Sequence, residues 1–408
     1  VRDLLLDRPP ADLDIVTAAP PDAVAALFER TIPVGAEFNV MAVILGGHPY
    51  QVATFRREGP YLDGRRPSFV ERADAAADVQ RRDFTINALL YDPLTDEVLD
   101  LVGGRADLER RLLRTVGDPA VRFAEDRLRM LRAIRFAAEL GFAIDPATLD
   151  AIPPLAAKIR TVSAERIHEE LVRLLVAPER GAGIRLLTRT GLLDAVLPEV
   201  AALAGQPAVP SGAAEERLAQ TIAALEGLRR PSAVVAMATL LHLLDAPEQV
   251  DAICRRLRFS TPERRAIAAL VRDSSGVAEF AQMSPGTLKG LLRRSAPAEL
   301  LELFRVRSLA AGADRAAYTR AAEIFAAHPG VRGLPRPLLT GSDLIALGHT
   351  PGPGFAQILD AVDAAHARGE IHTPEEARAW VRDRYAGGPA PRLAEASPWS
   401  GSRGPAGG

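Results

Sequence analysis

Two textures of hydrophobic spacing divide the chain. Residues 1–115 hold short apolar, β-branched runs of the kind that form strands: "LDIVT", "FNVMAVIL" and "YQVATFR", then "TINALLYDP" and "EVLDLVGG". The "GGHPY" between the second and third runs has the length of a hairpin turn, so these two are expected to pair. Around Gly117 the pattern changes. From Pro119 onward apolar residues recur at helical spacing in Ala-, Leu- and Arg-rich segments, and no further strand signal appears. "EDRLRMLRAIRFAAELGF" reads as one long helix ending at Gly141, and "SAERIHEELVRLL" as a helix with Ser163 at its N-cap. "LAQTIAALEGL", "SAVVAMATLLHLL" and "PERRAIAALVRD" continue the series, and a last helical unit covers "GSDLIALGHTPGPGFAQILDAVDAAH". From about Gly387 the Gly-, Pro- and Ser-rich end is expected to be disordered. The expected class is α+β: a small mixed α/β head followed by a long all-helical remainder, without a fixed-period repeat.

Composition narrows the function classes. The 408 residues exceed one hydrophobic core and suit about three domains. No apolar run reaches the length of about 18 residues that crosses a membrane, and no cationic start leads into an apolar core segment. A cytoplasmic protein is expected, with no membrane partner. The single cysteine, Cys254, excludes an internal disulfide and a Cys-based zinc site. Net charge is only −2, but the average hides the distribution. Lys158 and Lys289 are the only lysines, so positive charge is almost all arginine, the better phosphate fork. Clusters such as "RREGPYLDGRR" and "RLRMLRAIR" support local anion binding more than the net charge opposes it.

Four segments carry candidate chemistry. In "VRDLLLDRPPADLDIVT", Asp12 and Asp14 flank one leucine at the start of a strand, where residues i and i+2 share a face. Their repulsion is relieved by a hard divalent cation, and Mg²⁺ takes one or two carboxylates with substrate phosphates. A D-x-D alone also fits a solvated turn. "RRDFTINALLYDP" places Arg81, Arg82 and Asp83 in a row. In "DLVGGRADLERRLLRTVGDP", Gly103 and Gly104 offer flexible backbone between head and body. In "RFAEDRLRMLRAIRF", Asp126, Arg129, Arg132 and Arg135 recur at helical spacing and are expected on one face of a helix. Taken singly, Asp126–Arg129 also fits a surface ion pair and Arg81–Arg82 a solvated patch.

In this order the segments resemble the class II tRNA nucleotidyltransferases, that is, CCA-adding enzymes and their bacterial poly(A) polymerase relatives. The resemblance is close from Val1 to about Leu175 and looser beyond. It implies a nucleotidyltransferase head (1–115), a helical neck with the base-reading helix (116–180), a helical body (181–330) and a helical, tRNA-binding tail (331–386), before the disordered end (387–408). It implies Asp12 and Asp14 as the catalytic, metal-binding pair, clamping the attacking 3′-hydroxyl and the leaving pyrophosphate through two Mg²⁺ ions. Arg2 matches an arginine on the triphosphate, Arg82 a nucleotide contact, and Asp83 the acid at the ribose. Asp126 and Arg129 match the pair that reads the base, and Arg132 and Arg135 further nucleotide contacts. The base-reading role has its own physical rationale. Cytosine and adenine both offer an amino donor beside a ring-nitrogen acceptor, which a carboxylate and a guanidinium complement; uracil and guanine present the reverse. The implied partners are tRNA, CTP and ATP.

The chain departs from the family pattern twice. The pattern begins with two glycines ahead of "VRD", at a strand-to-helix turn close to the triphosphate, whereas this sequence opens at Val1 inside it; the natural chain is expected to extend upstream. Gln51 in "PYQVATFR" stands where the family usually has an acid completing a carboxylate triad. Glutamine neither neutralises a cation nor acts as a base. These two departures leave a catalytically impaired RNA-binding relative open beside CCA addition. Poly(A) or A-only addition also stays open, because it uses the same head chemistry. "LLHLLD" holds His242 and Asp245 but lacks an adjacent His-Asp pair, so a core helix is the better reading there.

Overall fold

The computed structural model describes residues 1–10, 12–34, 40–61, 64, 67–204, 211–244, 246–274, 297–312, 316–326, 338–352, 354–367 and 370–385. After a short helix α1 (Arg2–Leu5), the head is built on strands β1 (Asp14–Thr17), β2 (Thr31–Pro33), β3 (Val40–Leu45) and β4 (His48–Thr54), with helix α2 (Pro21–Leu27) after β1. The sheet order is β1-β4-β3-β2; β1 runs parallel to β4 and the other pairs are antiparallel. The β3–β4 hairpin turns on Gly46 and Gly47 alone, with φ of +58° and +83°. Such left-handed backbone at both turn positions is what a two-residue hairpin loop needs and glycine supplies it without strain. Met41 and Val43 of β3 and Val52 of β4 pack with Val24 of α2 in a buried cluster on one face. With a side-chain period of two, Ala42, Gln51 and Asp14 occupy the other.

Around this sheet lie β5 (Arg56–Glu58) paired with β6 (Val70–Arg72), helix α3 (Ala75–Gln80), the β7 (Leu90–Asp92) and β8 (Glu97–Leu99) hairpin, and α4 (Gly104–Glu109). Strand β9 (Leu112–Leu113) leads to α5 (Pro119–Glu125) and α6 (Leu128–Leu140). Strand β10 (Ala143–Ile144), α7 (Pro146–Asp150) and α8 (Ala164–Val176) follow. Helix α6 is buried nearly all round, and Met130, Leu131, Ala133 and Ile134 are completely buried. Each such large aliphatic side chain contributes about 1.5–3 kcal/mol by leaving water. Gly141 ends α6 in the left-handed region (φ +69°), its N–H donating to the Ala137 carbonyl at 2.9 Å.

By contact density the chain forms two units, Val1–Val277 with Ala298–Arg315, and Ala278–Pro297 with Ala316–Gly408. The first adds helices from Arg180–Arg189 to Pro297–Ala310. In the second, helices Gly341–Ala346, Gly354–Ala367 and Pro374–Tyr385 enclose Leu344, Ile358, Val362 and Val381. Thr340 caps the first of these three helices with a capping box, its hydroxyl accepting from the Asp343 N–H.

The mixed head and helical remainder agree with the expected class, and several local expectations are corrected. The segment expected as one long helix begins at Leu128; α5 and α6 break at Asp126, whose backbone is extended (φ −135°, ψ 104°) and whose Oδ1 accepts from the Leu128 N–H at 3.1 Å. Asp126 is a cap between two helices, not a member of the α6 stripe. Asp12 precedes β1, which starts at Asp14. Gly103 and Gly104 are held tightly. Asp100 accepts from the backbone N–H groups of Val102, Gly103, Gly104 and Arg105 at 2.9–3.2 Å, and a Cβ on Gly104 would collide with the Thr85 carbonyl. Strand β10 is a short strand beyond Pro119, pairing with β9. Ser163 sits at the N-cap of α8, but its hydroxyl makes no capping bond. The last helical unit is split at Gly348 (φ +92°) and the prolines that follow. His242 is buried, with its pKa pushed down to about 4 by that burial, as a core residue would be. Burial likewise pushes the Cys254 thiol up to about 12. Asp245 and the expected disordered end lie outside the described residues.

Candidate nucleotide and metal site

One cleft of about 1210 Å³ gathers all nine sequence-predicted site residues: Arg2, Asp12, Asp14, Arg82, Asp83, Asp126, Arg129, Arg132 and Arg135. Gln51 lines it too. The parallel register of β1 and β4 sets Asp14 directly beside Gln51. Among the described residues, neither Asp12 nor Asp14 has a hydrogen-bonding or ion-pairing side-chain partner. Partial burial and then the Asp12 charge raise the Asp14 carboxyl above the usual carboxylate range, with Arg82 only partly offsetting them. Two uncompensated carboxylates beside an amide oxygen are a donor set that fits a hard divalent cation which keeps other sites for water and phosphate. No group of three or more His, Cys, Asp or Glu side chains converges as a metal cage among the described residues.

The rest of the cleft lining is densely partnered, although Arg135 Nη2 is buried without a hydrogen-bond partner among the described residues. Asp78, fully buried in α3, takes Arg81 on Oδ1 (2.7 Å) and Arg82 on Oδ2 (3.1 Å), so one carboxylate orients two neighbouring guanidiniums. Asn87, in the 3₁₀ turn Thr85–Asn87, links three candidates. Its amide nitrogen donates to Asp83 (3.1 Å), its side-chain oxygen accepts from Arg2 (2.7 Å), and its carbonyl accepts from Arg82 (3.1 Å). Arg132 forks onto Asp83 Oδ2 through Nε (2.9 Å) and Nη2 (2.6 Å). Burial works against ionising Asp83, but Arg132 and Asn87 outweigh it and hold the carboxyl below its usual value. Arg135 is fully buried between Glu170 and Glu139. The guanidiniums of Arg2, Arg132 and Arg135 lie 5.1, 5.3 and 3.7 Å from the centre of the Phe136 ring.

Asp126 and Arg129 both line the cleft, yet they do not pair. Arg129 donates to Glu125 (2.8 Å) and to the Arg81 carbonyl (2.9 Å). Asp126 is held by both terminal nitrogens of Arg166 from α8, at 2.7 and 3.2 Å. The two side chains are thus fixed separately, by different partners.

Residues 1–114 match the family described as "Poly A polymerase head domain", and residues 141–203 the "Probable RNA and SrmB- binding site of polymerase A". The chain is 35% identical to a CCA-adding enzyme of Geobacillus stearothermophilus, over 94% of this chain and 91% of that one. This chain belongs to the CCA-adding enzyme family. A second member, from Bacillus mycoides, is 31% identical over 94% of this chain and 92% of its own. The crystal structure of the Bacillus stearothermophilus CCA-adding enzyme in complex with CTP superposes with a TM-score of 0.67 at 30% identity, covering 94% and 91% of the two chains. The Thermotoga maritima CCA-adding enzyme complexed with tRNA shares the fold (TM-score 0.61, 18% identity, 94% and 88% covered). No described helix is long and apolar enough to cross a membrane.

Within this family frame, sequence reasoning missed Asp78, Asn87, Arg166 and Glu170. Asn87 was within reach, since it stands in the "RRDFTINA" run four residues after Asp83, where a turn brings both together. Arg166 and Glu170 carry no comparable signal, because their partners lie about 40 residues away.

Proposed function

We propose that this protein adds CMP and AMP, from CTP and ATP, to the 3′ end of tRNA without a nucleic-acid template. The observation that carries the reading is the cleft itself, lined both by Asp12 and Asp14, which have no side-chain partners among the described residues, and by Asp126 and Arg129 at the α5–α6 junction. Asp12 and Asp14 would hold Mg²⁺, with the Gln51 amide oxygen beside them. When bound, the cation supplies charge neutralisation for in-line displacement at the α-phosphorus. The RNA 3′-oxygen forms the new P–O bond, the bond to the β-phosphate breaks, and pyrophosphate leaves as the hydroxyl proton is lost. Asp83, locked by Arg132 and Asn87, is a positioned carboxylate that would meet the ribose hydroxyls by exchanging one of these bonds. Asp126 accepts from the amino group of cytosine or adenine on lone pairs that Arg166 leaves open, while Arg129 donates to the ring nitrogen. Uracil and guanine would leave both charged groups facing like partners, a costly mismatch. The arginine-rich helical remainder would hold the tRNA, with neck, body and tail divided near residues 180 and 330.

The test uses radiolabelled CTP and ATP with tRNA transcripts ending at the position before CCA. Ordered addition of two C and one A, lost on chelation of divalent metal, is expected. Addition of A alone, or of a long A run, would assign the runner-up activities, and no incorporation under any metal would leave an RNA-binding relative.

A further inference from the structure

We propose that Arg173 grips the β- and γ-phosphates of the incoming nucleoside triphosphate, an inference that rests on the nucleotidyl-transfer reading above. Among the described residues, nine arginines line the cleft. In eight of them at least one terminal nitrogen already meets a protein oxygen, and their side chains are 0–31% exposed. Arg173 is the exception among the described residues. Its Nε donates to Glu139 Oε1 at 3.2 Å, neither terminal nitrogen has a protein acceptor, and its side chain is 58% exposed. One bond through Nε fixes the direction of the guanidinium and leaves the terminal fork for a ligand. A phosphate oxyanion is the partner that such a fork matches best.

The position favours a triphosphate over the single charge of an RNA phosphodiester. Arg166, Glu170 and Arg173 recur at i, i+4 and i+7 on α8, so they share one face. They meet, in order, Asp126, then Arg132 and Arg135, then Glu139. The two helices thus run side by side in the same direction, and Arg173 stands at the end opposite Asp126. At that end Glu139 also binds Arg135 (2.6 Å), and Arg135 and Arg2 share the Phe136 ring. The cations therefore cluster where the tail of a nucleotide lies when its base reaches Asp126.

Titration calorimetry on the full chain with magnesium would compare CTP, CMP and a tRNA lacking its CCA end. Arg173→Ala is expected to weaken CTP binding about tenfold, in keeping with the loss of a charge-assisted bond, while CMP and tRNA affinities hold within about twofold. Arg173→Lys should regain part of the loss, since charge returns without the fork. Equal weakening of CTP and CMP overturns the proposal, as does unchanged CTP binding. Weakening confined to tRNA also overturns it and moves the contact to the primer backbone. A wild-type chain that binds no CTP at all overturns both this inference and the function on which it rests.

Discussion

The two walls of the cleft handle charge in opposite ways. On the β1 wall Asp12 and Asp14 have no side-chain partners among the described residues, and partial burial, then the Asp12 charge, raises Asp14. On the α3–α6–α8 wall every predicted acid is matched, Asp83 by Arg132 and Asn87, Asp126 by Arg166. The difference separates a place kept for a cation from a surface organised before any ligand arrives. It also reverses the expected cost of mutation. An unpartnered acid can be removed without harming the fold, whereas removing a partnered one strands a half-buried guanidinium.

The largest expected effect is on the β1 wall. Asp12→Asn or Asp14→Asn should lower incorporation by at least about a thousandfold, roughly 4 kcal/mol of barrier. The melting temperature should stay level or rise, because the folded chain disfavours the Asp14 charge at neutral pH. A variant that keeps near wild-type turnover in magnesium, or melts well below the parent, would erase the contrast. Next comes Asp83→Asn, expected to destabilise by roughly 2–3 kcal/mol at pH 7 in denaturant titration, by uncovering Arg132. The sign with pH follows from the depressed folded pKa. The Asp83 contribution is complete above the unfolded value of about 4 and is lost as pH falls through the lower folded value, so wild type and variant should converge in acid. Asp14 has the opposite sign: its penalty is complete above the raised folded value, is relieved as pH falls through that value, and is gone at the unfolded value of about 4.

A smaller effect tests base reading. Asp126→Ala should narrow the preference for CTP over UTP by about 1–3 kcal/mol in relative kcat/KM. An unchanged ratio would put selection elsewhere on the wall. The smallest is Gln51→Glu, which adds a third carboxylate beside Asp14. Turnover should rise a few-fold, about 1 kcal/mol or less, at limiting magnesium and converge at saturation. A variant no faster at any magnesium concentration would show that the neutral amide suffices.

Legibility in the sequence followed the range of the interactions. Asp14 and the hairpin glycines were readable because strand period and turn geometry act over two to four residues, whereas Asp12 lies just ahead of the strand on which that period had set it. The stripe Arg129, Arg132 and Arg135 was readable from helical spacing, but its first member was misplaced. The Asp126 side chain captures the Leu128 N–H, a local bond that competes with helix continuation and that periodicity does not register. Gly103 and Gly104 read as flexible because their constraint comes from the distant Thr85 carbonyl and the Asp100 carboxylate. Arg166 and Arg173 were invisible as site residues, since only the packing of α8 along α6 brings them to the cleft.

The pairing of Asp14 with Gln51 limits how the head can change length. Strands β1 and β4 are locked residue against residue from Asp14–Gln51 to Thr17–Thr54. Inserting or deleting one residue within β4 ahead of Gln51 would exchange the faces, turning Val52 toward the acid pair and Gln51 into the cluster under α2. Point substitutions can explore this strand gradually, but single-residue insertions and deletions cannot. Size variation in the head is therefore confined to the turns, or to paired changes of two residues that restore the alternation.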